Sequence, residues 1–147
     1  MGKHDGLFVT EAKECAADMV NEGAAAEKPL PFNLSEPWAL LRAADVPQAS
    51  CYITTSWVGA IDHEEEWVEE HVHDYDEVLM FLGNDPDDVN DLGGEIFMTI
   101  EGERHLLTTT SAVFIPAGTR HCPLGFTRVD RPLRFVAVAL SADGNYQ

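Results

Sequence analysis

The run His71-Val72-His73-Asp74-Tyr75-Asp76-Glu77, answered downstream by Pro116-Ala117-Gly118-Thr119-Arg120-His121, constrains this chain more than any other feature. In extended backbone, residues two apart share a face, so His71 and His73 aim two imidazoles at one point. Glu77 keeps the same parity if the strand continues, or returns across a turn at Asp74-Tyr75-Asp76. Either path sets a carboxylate beside the imidazoles. A fourth ligand must come from elsewhere, and His121 qualifies because Pro116 and Gly118 mark a turn that re-aims the chain just before it. Three nitrogens and one oxygen suit Fe(II), Mn, Ni, Cu or Zn.

The remaining pattern supplies a scaffold for such a site. From Ser50 onward, short β-rich runs alternate with turn signals, at residues 51–58, 67–73, 77–82, 95–100, 104–108, 112–115 and 133–140. A succession of this kind builds a barrel or a sandwich, and Glu101-Gly102-Glu103 is a compact hairpin turn within it. Upstream, residues 9–26 are Ala-rich and predict a helix with Thr10 as its N-cap, after which Pro29, Pro31 and Pro37 impose an extended linker. Residues 1–48 therefore read as an appended arm, 49–141 as the barrel and 142–147 as a tail. The acidic stretch 83–94 has Asn90 and Ile96 where a calcium loop needs Gly and Glu, so it predicts a solvated turn near the barrel mouth.

Together, the two histidine segments resemble the paired motifs of the cupin superfamily. The first motif there reads Gly, five residues, His-x-His, three or four residues, Glu, six residues, Gly. His71, His73 and Glu77 match it, Gly83 closes it one residue early, and Glu65 replaces the leading Gly. The second reads Gly, five residues, Pro-x-Gly, two residues, His, three residues, Asn. Pro116, Gly118 and His121 match, while Thr110 and Gly125 stand at the outer positions. The resemblance covers roughly residues 50 to 140. It implies an all-β fold, the double-stranded β-helix or jelly-roll barrel of cupins, here with an N-terminal helical and extended arm. It also implies one divalent transition metal per subunit, held by His71, His73, Glu77 and His121, and a small-molecule substrate. The reaction is less constrained, because cupins include dioxygenases, isomerases, epimerases, decarboxylases, lyases, storage proteins and sugar-binding regulator domains. The leading expectation is a mononuclear Fe(II) dioxygenase-like oxidoreductase. A non-redox isomerase, epimerase or lyase using Mn, Ni or Zn is the first alternative, and a non-catalytic small-molecule-binding cupin the second.

Composition narrows the partners. At 147 residues the chain is long enough for one barrel and too short for two. Its net charge of −17 repels phosphate backbones and anionic lipid surfaces, which excludes nucleic acid as a partner. The sequence has no apolar run of membrane-spanning length and no signal-peptide pattern at its start, so a cytoplasmic protein without membrane insertion is expected. Cys15, Cys51 and Cys122 are odd in number and widely spaced, which predicts reduced thiols. Open sheet edges predict a homodimer.

Tyr75, between two Asp residues beside the ligands, is the candidate catalytic proton donor. Strand alternation points Arg120 and Cys122 away from a metal at His121, with Cys122 a small buried apolar group. His63 with Glu64, Glu65 and Glu66 reads as a solvated approach segment, and His105 as an exposed hairpin residue. Tyr52, Trp57, Met80, Phe97, Met98 and Phe114 are assigned to core in preference to a pocket wall.

Overall fold

The structure is a computed structural model that describes residues 2–141 and residue 144, with Ala24 placed by its backbone alone. Its strands are β1 (Lys13–Glu14), β2 (Trp38–Leu41), β3 (Tyr52–Val58), β4 (Glu65–Val68), β5 (Asp76–Leu82), β6 (Asp91–Ile100), β7 (Glu103–Thr109), β8 (Ser111–Ile115), β9 (His121–Val129) and β10 (Leu133–Leu140). Period-two alternation decides which face each one buries. In β5, Glu77, Leu79 and Phe81 are buried while Val78, Met80 and Leu82 stay half-exposed, and β10 alternates in the same way. Antiparallel pairing assembles two sheets, ordered β1-β2-β3-β10-β5-β8 and β4-β9-β6-β7. Their inner faces form one core, in which Val58, Phe81 and Leu133 of the larger sheet meet Trp67, Ile96 and Phe126 of the smaller. Trp67 sets its edge on Phe135, with ring centroids 4.7 Å apart. No helix among the described residues is long and apolar enough to cross a membrane.

Two motif glycines answer to backbone geometry. Gly118 adopts φ +78 in the turn before His121, a conformation that side chains with a Cβ resist. Gly83 closes the first motif where a Cβ would stand 1.9 Å from the Asp91 carbonyl oxygen, so the chain can cross there only as glycine.

The arm departs from expectation. Residues 9–26 do not form the helix that their alanines favour; they form β1 and short 3-10 turns at Ala16–Asp18 and Gly23–Ala26. Propensity is the weaker term here, since a short helix gains little without packing. The irregular path lets Cys15 and Met19 bury against Tyr52, Tyr75 and Ala139, and lets the Tyr52 hydroxyl donate to Asp18 Oδ2 at 2.6 Å. The arm also contributes β1 and β2 to the larger sheet. Of the expected tail at 142–147, only Gly144 lies within the described residues.

Three further differences concern the barrel. Strand β9 was not expected, because Pro123 and Gly125 interrupt its apolar pattern. The strand expected at 67–73 ends at Val68, and His71 rejoins the structure as an isolated bridge to His121. The acidic loop after β5 leaves from Leu82, at the opposite end of that strand from Glu77, so it lies away from the ligands and not at their mouth. Its Asp85 and Asp88 carboxylates accept hydrogen bonds from the backbone two residues on, as solvated turns do.

The outward face of the larger sheet is apolar. Trp38 and Trp57 flank a groove of about 400 Å³, and Val136, Met80 and Phe114 continue the surface across the sheet. Over β3, β10, β5 and β8 this face carries two charged residues, Arg134, stacked over the Trp57 ring at 4.8 Å, and Asp76, whose carboxylate accepts from the Ala117 amide. In a chain of net charge −17, two copies can meet on such a face without opposing their acids. We propose a second copy of the chain as its occupant. Light scattering at physiological salt should give twice the chain mass, and Trp57→Glu combined with Phe114→Glu should halve it without loss of fold; a monomeric parent protein would contradict this.

Candidate metal centre

Backbone pairing brings the two motifs together before any side chain contributes. His71 and His121 exchange both main-chain hydrogen bonds, each at 3.0 Å. The Gly118 amide donates to the His73 carbonyl at 2.8 Å, and the Ala117 amide donates to Asp76 Oδ1 at the same distance. Around His71, the in-out-in pattern survives without a continuous strand: Val72 is exposed while His71 and His73 turn inward. Glu77 opens β5 and faces the same interior.

The four side chains converge. One ligand atom from each of His71, His73, Glu77 and His121 lies within 4.8 Å of all the others. Glu77 Oε1 stands 3.3 Å from His121 Nε2 and 3.8 Å from His73 Nε2. The imidazole centroids of His71 lie 4.6 Å from that of His73 and 4.3 Å from that of His121. Two rings are oriented from behind, as the outer shell of a metal site requires. His71 Nδ1 pairs with the Glu69 carbonyl at 2.7 Å, and His121 Nδ1 with the Thr119 carbonyl at 2.9 Å. A carbonyl can only accept, so Nδ1 carries the hydrogen and Nε2 keeps its lone pair for the interior. His121 Nε2 is buried there without an aligned hydrogen bond, a costly state that a cation would relieve. The donor set thus fits a divalent transition metal.

Protonation of the two oriented rings is pushed in opposite directions. Burial drives His71 down to about 4, reinforced by the neighbouring His121 and His73 and opposed by the Glu69 carbonyl and Glu77. Burial also acts against the His121 imidazolium, but Glu77 and the Thr119 carbonyl outweigh it and hold this ring above its ordinary value.

A cavity of about 30 Å³ adjoins the cluster, enough for a few waters or one small ligand. His71, Glu77 and His121 form part of its wall, with Thr54 and Ser56 from β3 and apolar side chains from both sheets. Cys122 also lines it, against the alternation expected after His121. Its φ of +72 and the register shift between Met98 and Ile100 bulge β9 at this point, so consecutive side chains both turn inward. The thiol is buried and its pKa is pushed up, chiefly by that burial, so it stays protonated. Tyr75 stacks flat on His73 at 4.6 Å and packs beneath the arm, outside the cavity wall. Arg120 points to solvent, His63 is exposed between Asp62 and Glu65, and His105 is exposed beside Glu103. Sequence reasoning missed the barrel hydroxyls of Thr54 and Ser56 and also Met19, Glu22 and Pro37 of the arm, which close the cavity from outside the barrel. No local pattern marks them.

No protein-family model matches the chain, and no curated protein matches it. Solved structures do. An oxalate oxidase superposes with a TM-score of 0.55 at 15% identity, over 98% of this chain and 64% of that one. A predicted oxalate decarboxylase from Thermotoga maritima gives 0.50 at 16% identity, over 72% of this chain and 78% of that one. The chain has the cupin fold. A cupin superfamily protein from Desulfitobacterium hafniense also matches, at a TM-score of 0.48 and 16% identity, over 78% of this chain and 92% of that one. At such identities the likeness speaks to architecture alone, and the cupin metal position here rests on the cluster itself.

Two outcomes are expected of this centre. His71→Ala or His121→Ala should abolish stoichiometric zinc binding while the far-ultraviolet spectrum stays β-like, because the bridge between these residues is main-chain; Glu77→Ala, which leaves three imidazoles, should weaken binding less. Full zinc occupancy in both histidine variants would remove the assignment. The second concerns pH. A raised His121 pKa means that protons compete for this ring already above ~6.5, whereas His71 stays neutral until about pH 4. Zinc affinity measured against a competing chelator should therefore begin to fall near neutrality and steepen towards pH 4. A constant affinity over that range would contradict the histidine ligands.

Proposed function

We propose that this cupin is a metal-dependent enzyme acting on a small, oxygen-rich molecule, with a mononuclear Fe(II) dioxygenase-like oxidoreductase as the leading form. The observation that carries the reading is the convergence of three imidazoles and one buried carboxylate on a small, largely apolar cavity. His71, His73, Glu77 and His121 would hold the metal, and when bound it would supply a Lewis acid and, as iron, a redox centre. Glu77 would offset one unit of the cation's charge. The Glu69 and Thr119 carbonyls keep two of the rings in the ligating tautomer. Thr54 and Ser56 offer hydroxyls that can orient a ligand, while Val68, Leu79, Leu124 and Phe135 exclude bulk water. The size of the cavity favours a substrate of a few heavy atoms.

A non-redox lyase or decarboxylase is the second reading. The Thermotoga maritima neighbour is described as a predicted oxalate decarboxylase, and the same donor set would serve Mn, Ni or Zn.

Metal analysis of protein purified without added metal, followed by oxygen uptake with a panel of diketones, catechols, hydroxy acids and oxalate, separates the two. Bound iron with substrate-dependent oxygen consumption is the expected result. Turnover without oxygen would favour the lyase. Binding without turnover across the panel would overturn the enzymatic reading.

A further inference from the structure

We propose that the cavity accepts a small oxyanion and that Glu22, carried in by the N-terminal arm, is the acid–base residue that shares a proton with it; this rests on the metal-dependent reading above. Glu22 is the carboxylate among the three arm residues, with Met19 and Pro37, that complete a wall built mainly by the barrel. It lines the same space as His71, Glu77 and His121 but does not belong to their cluster. Its position is fixed at one oxygen, because the indole N–H of the buried Trp67 donates to Oε2. Oε1 is left as the atom that can meet a ligand. The arm holds this placement through a second anchor, the hydrogen bond from Tyr52 to Asp18.

Charge accounting identifies the ligand class. A divalent metal and Glu77 leave a single positive charge at the centre, which one small anion would neutralise. An ionised Glu22 in the same low-dielectric space would then be uncompensated. Anion uptake and a proton on Glu22 are therefore coupled. Burial pushes this carboxyl up to about 7; Glu77 and Glu36 add to the rise, and the Trp67 hydrogen bond and Lys28 oppose it. Lys28 is itself paired with Glu66 on β4, and Cys122, Cys15, Asp18, Arg42 and Tyr52 are further titratable groups around this part of the arm. A ligand that arrives as an anion receives a hydrogen bond from the Glu22 O–H. If it arrives as the free acid, its O–H bond breaks as one forms on Glu22, and no other atom changes hands.

Cobalt(II)-loaded protein titrated with sodium acetate, followed by visible absorption from about pH 6 to about pH 9 at constant ionic strength, tests this directly. Wild-type affinity for acetate should fall with rising pH about tenfold per unit more steeply than that of Glu22→Gln. The Gln amide keeps an acceptor for Trp67 and a permanent donor for the anion, so that variant should stay folded and bind across the range. Glu22→Ala should bind acetate more weakly at every pH. Superimposed wild-type and Gln profiles would overturn the role of Glu22 while leaving the metal site standing, and so would a cobalt spectrum that acetate does not change. Failure of all three proteins to take up cobalt would defeat the metal reading, and this proposal with it.

Discussion

The reciprocal main-chain hydrogen bonds between His71 and His121 are the constraint on which the centre depends. They join two segments that are fifty residues apart in sequence, and they do so with groups that every residue carries. Side-chain identity is thereby released for chemistry. Backbone pairing fixes the position of both imidazoles, the carbonyls of Glu69 and Thr119 fix their rotation, and β5 delivers Glu77 from the opposite sheet. Close approach of like donors in a buried space is unfavourable in itself, and an apolar core of Trp67, Phe81, Phe126 and their neighbours supplies the burial that holds it together.

Depth of burial then governs the chemistry of each group differently. His71, whose largest influence is desolvation, stays neutral and ready to ligate. For His121, contact with Glu77 reverses the effect of the same burial. Glu22 shows the third case, a carboxyl that burial moves towards neutrality with only partial compensation from Trp67 and Lys28. Three titratable groups at one cavity thus respond to one physical cause in three ways, according to what each finds as a partner.

Much of the barrel was legible in the sequence because strand alternation and the spacing of ligands are local properties. β3, β5, β7, β8 and β10 lie close to their apolar runs. What escaped was set by long-range contact. The alanines of residues 9–26 favour helix, yet Tyr52 and Trp67, far along the chain, decide the path of the arm. Strand β9 was hidden by Pro123 and Gly125, whose cost is met by pairing on both sides, to β4 and β6. Alternation also misplaced Cys122, because the left-handed backbone at that residue breaks the rule that the inference used. The ligand quartet could be read since its members fall in two short segments, whereas Glu22 is one of twenty-six acidic residues and nothing in its own neighbourhood singles it out.

The bond between Trp67 and Glu22 also gives the molecule an optical handle. Trp38 and Trp57 are 43% and 44% exposed, whereas Trp67 is 1% exposed and has its indole N–H committed to the arm. Its emission is therefore set to the blue of the other two and is sensitive to whether that carboxylate is in place. Lifting the arm from the cavity would change the colour and yield of this one fluorophore, so the protein carries an intrinsic signal for the opening of its own site.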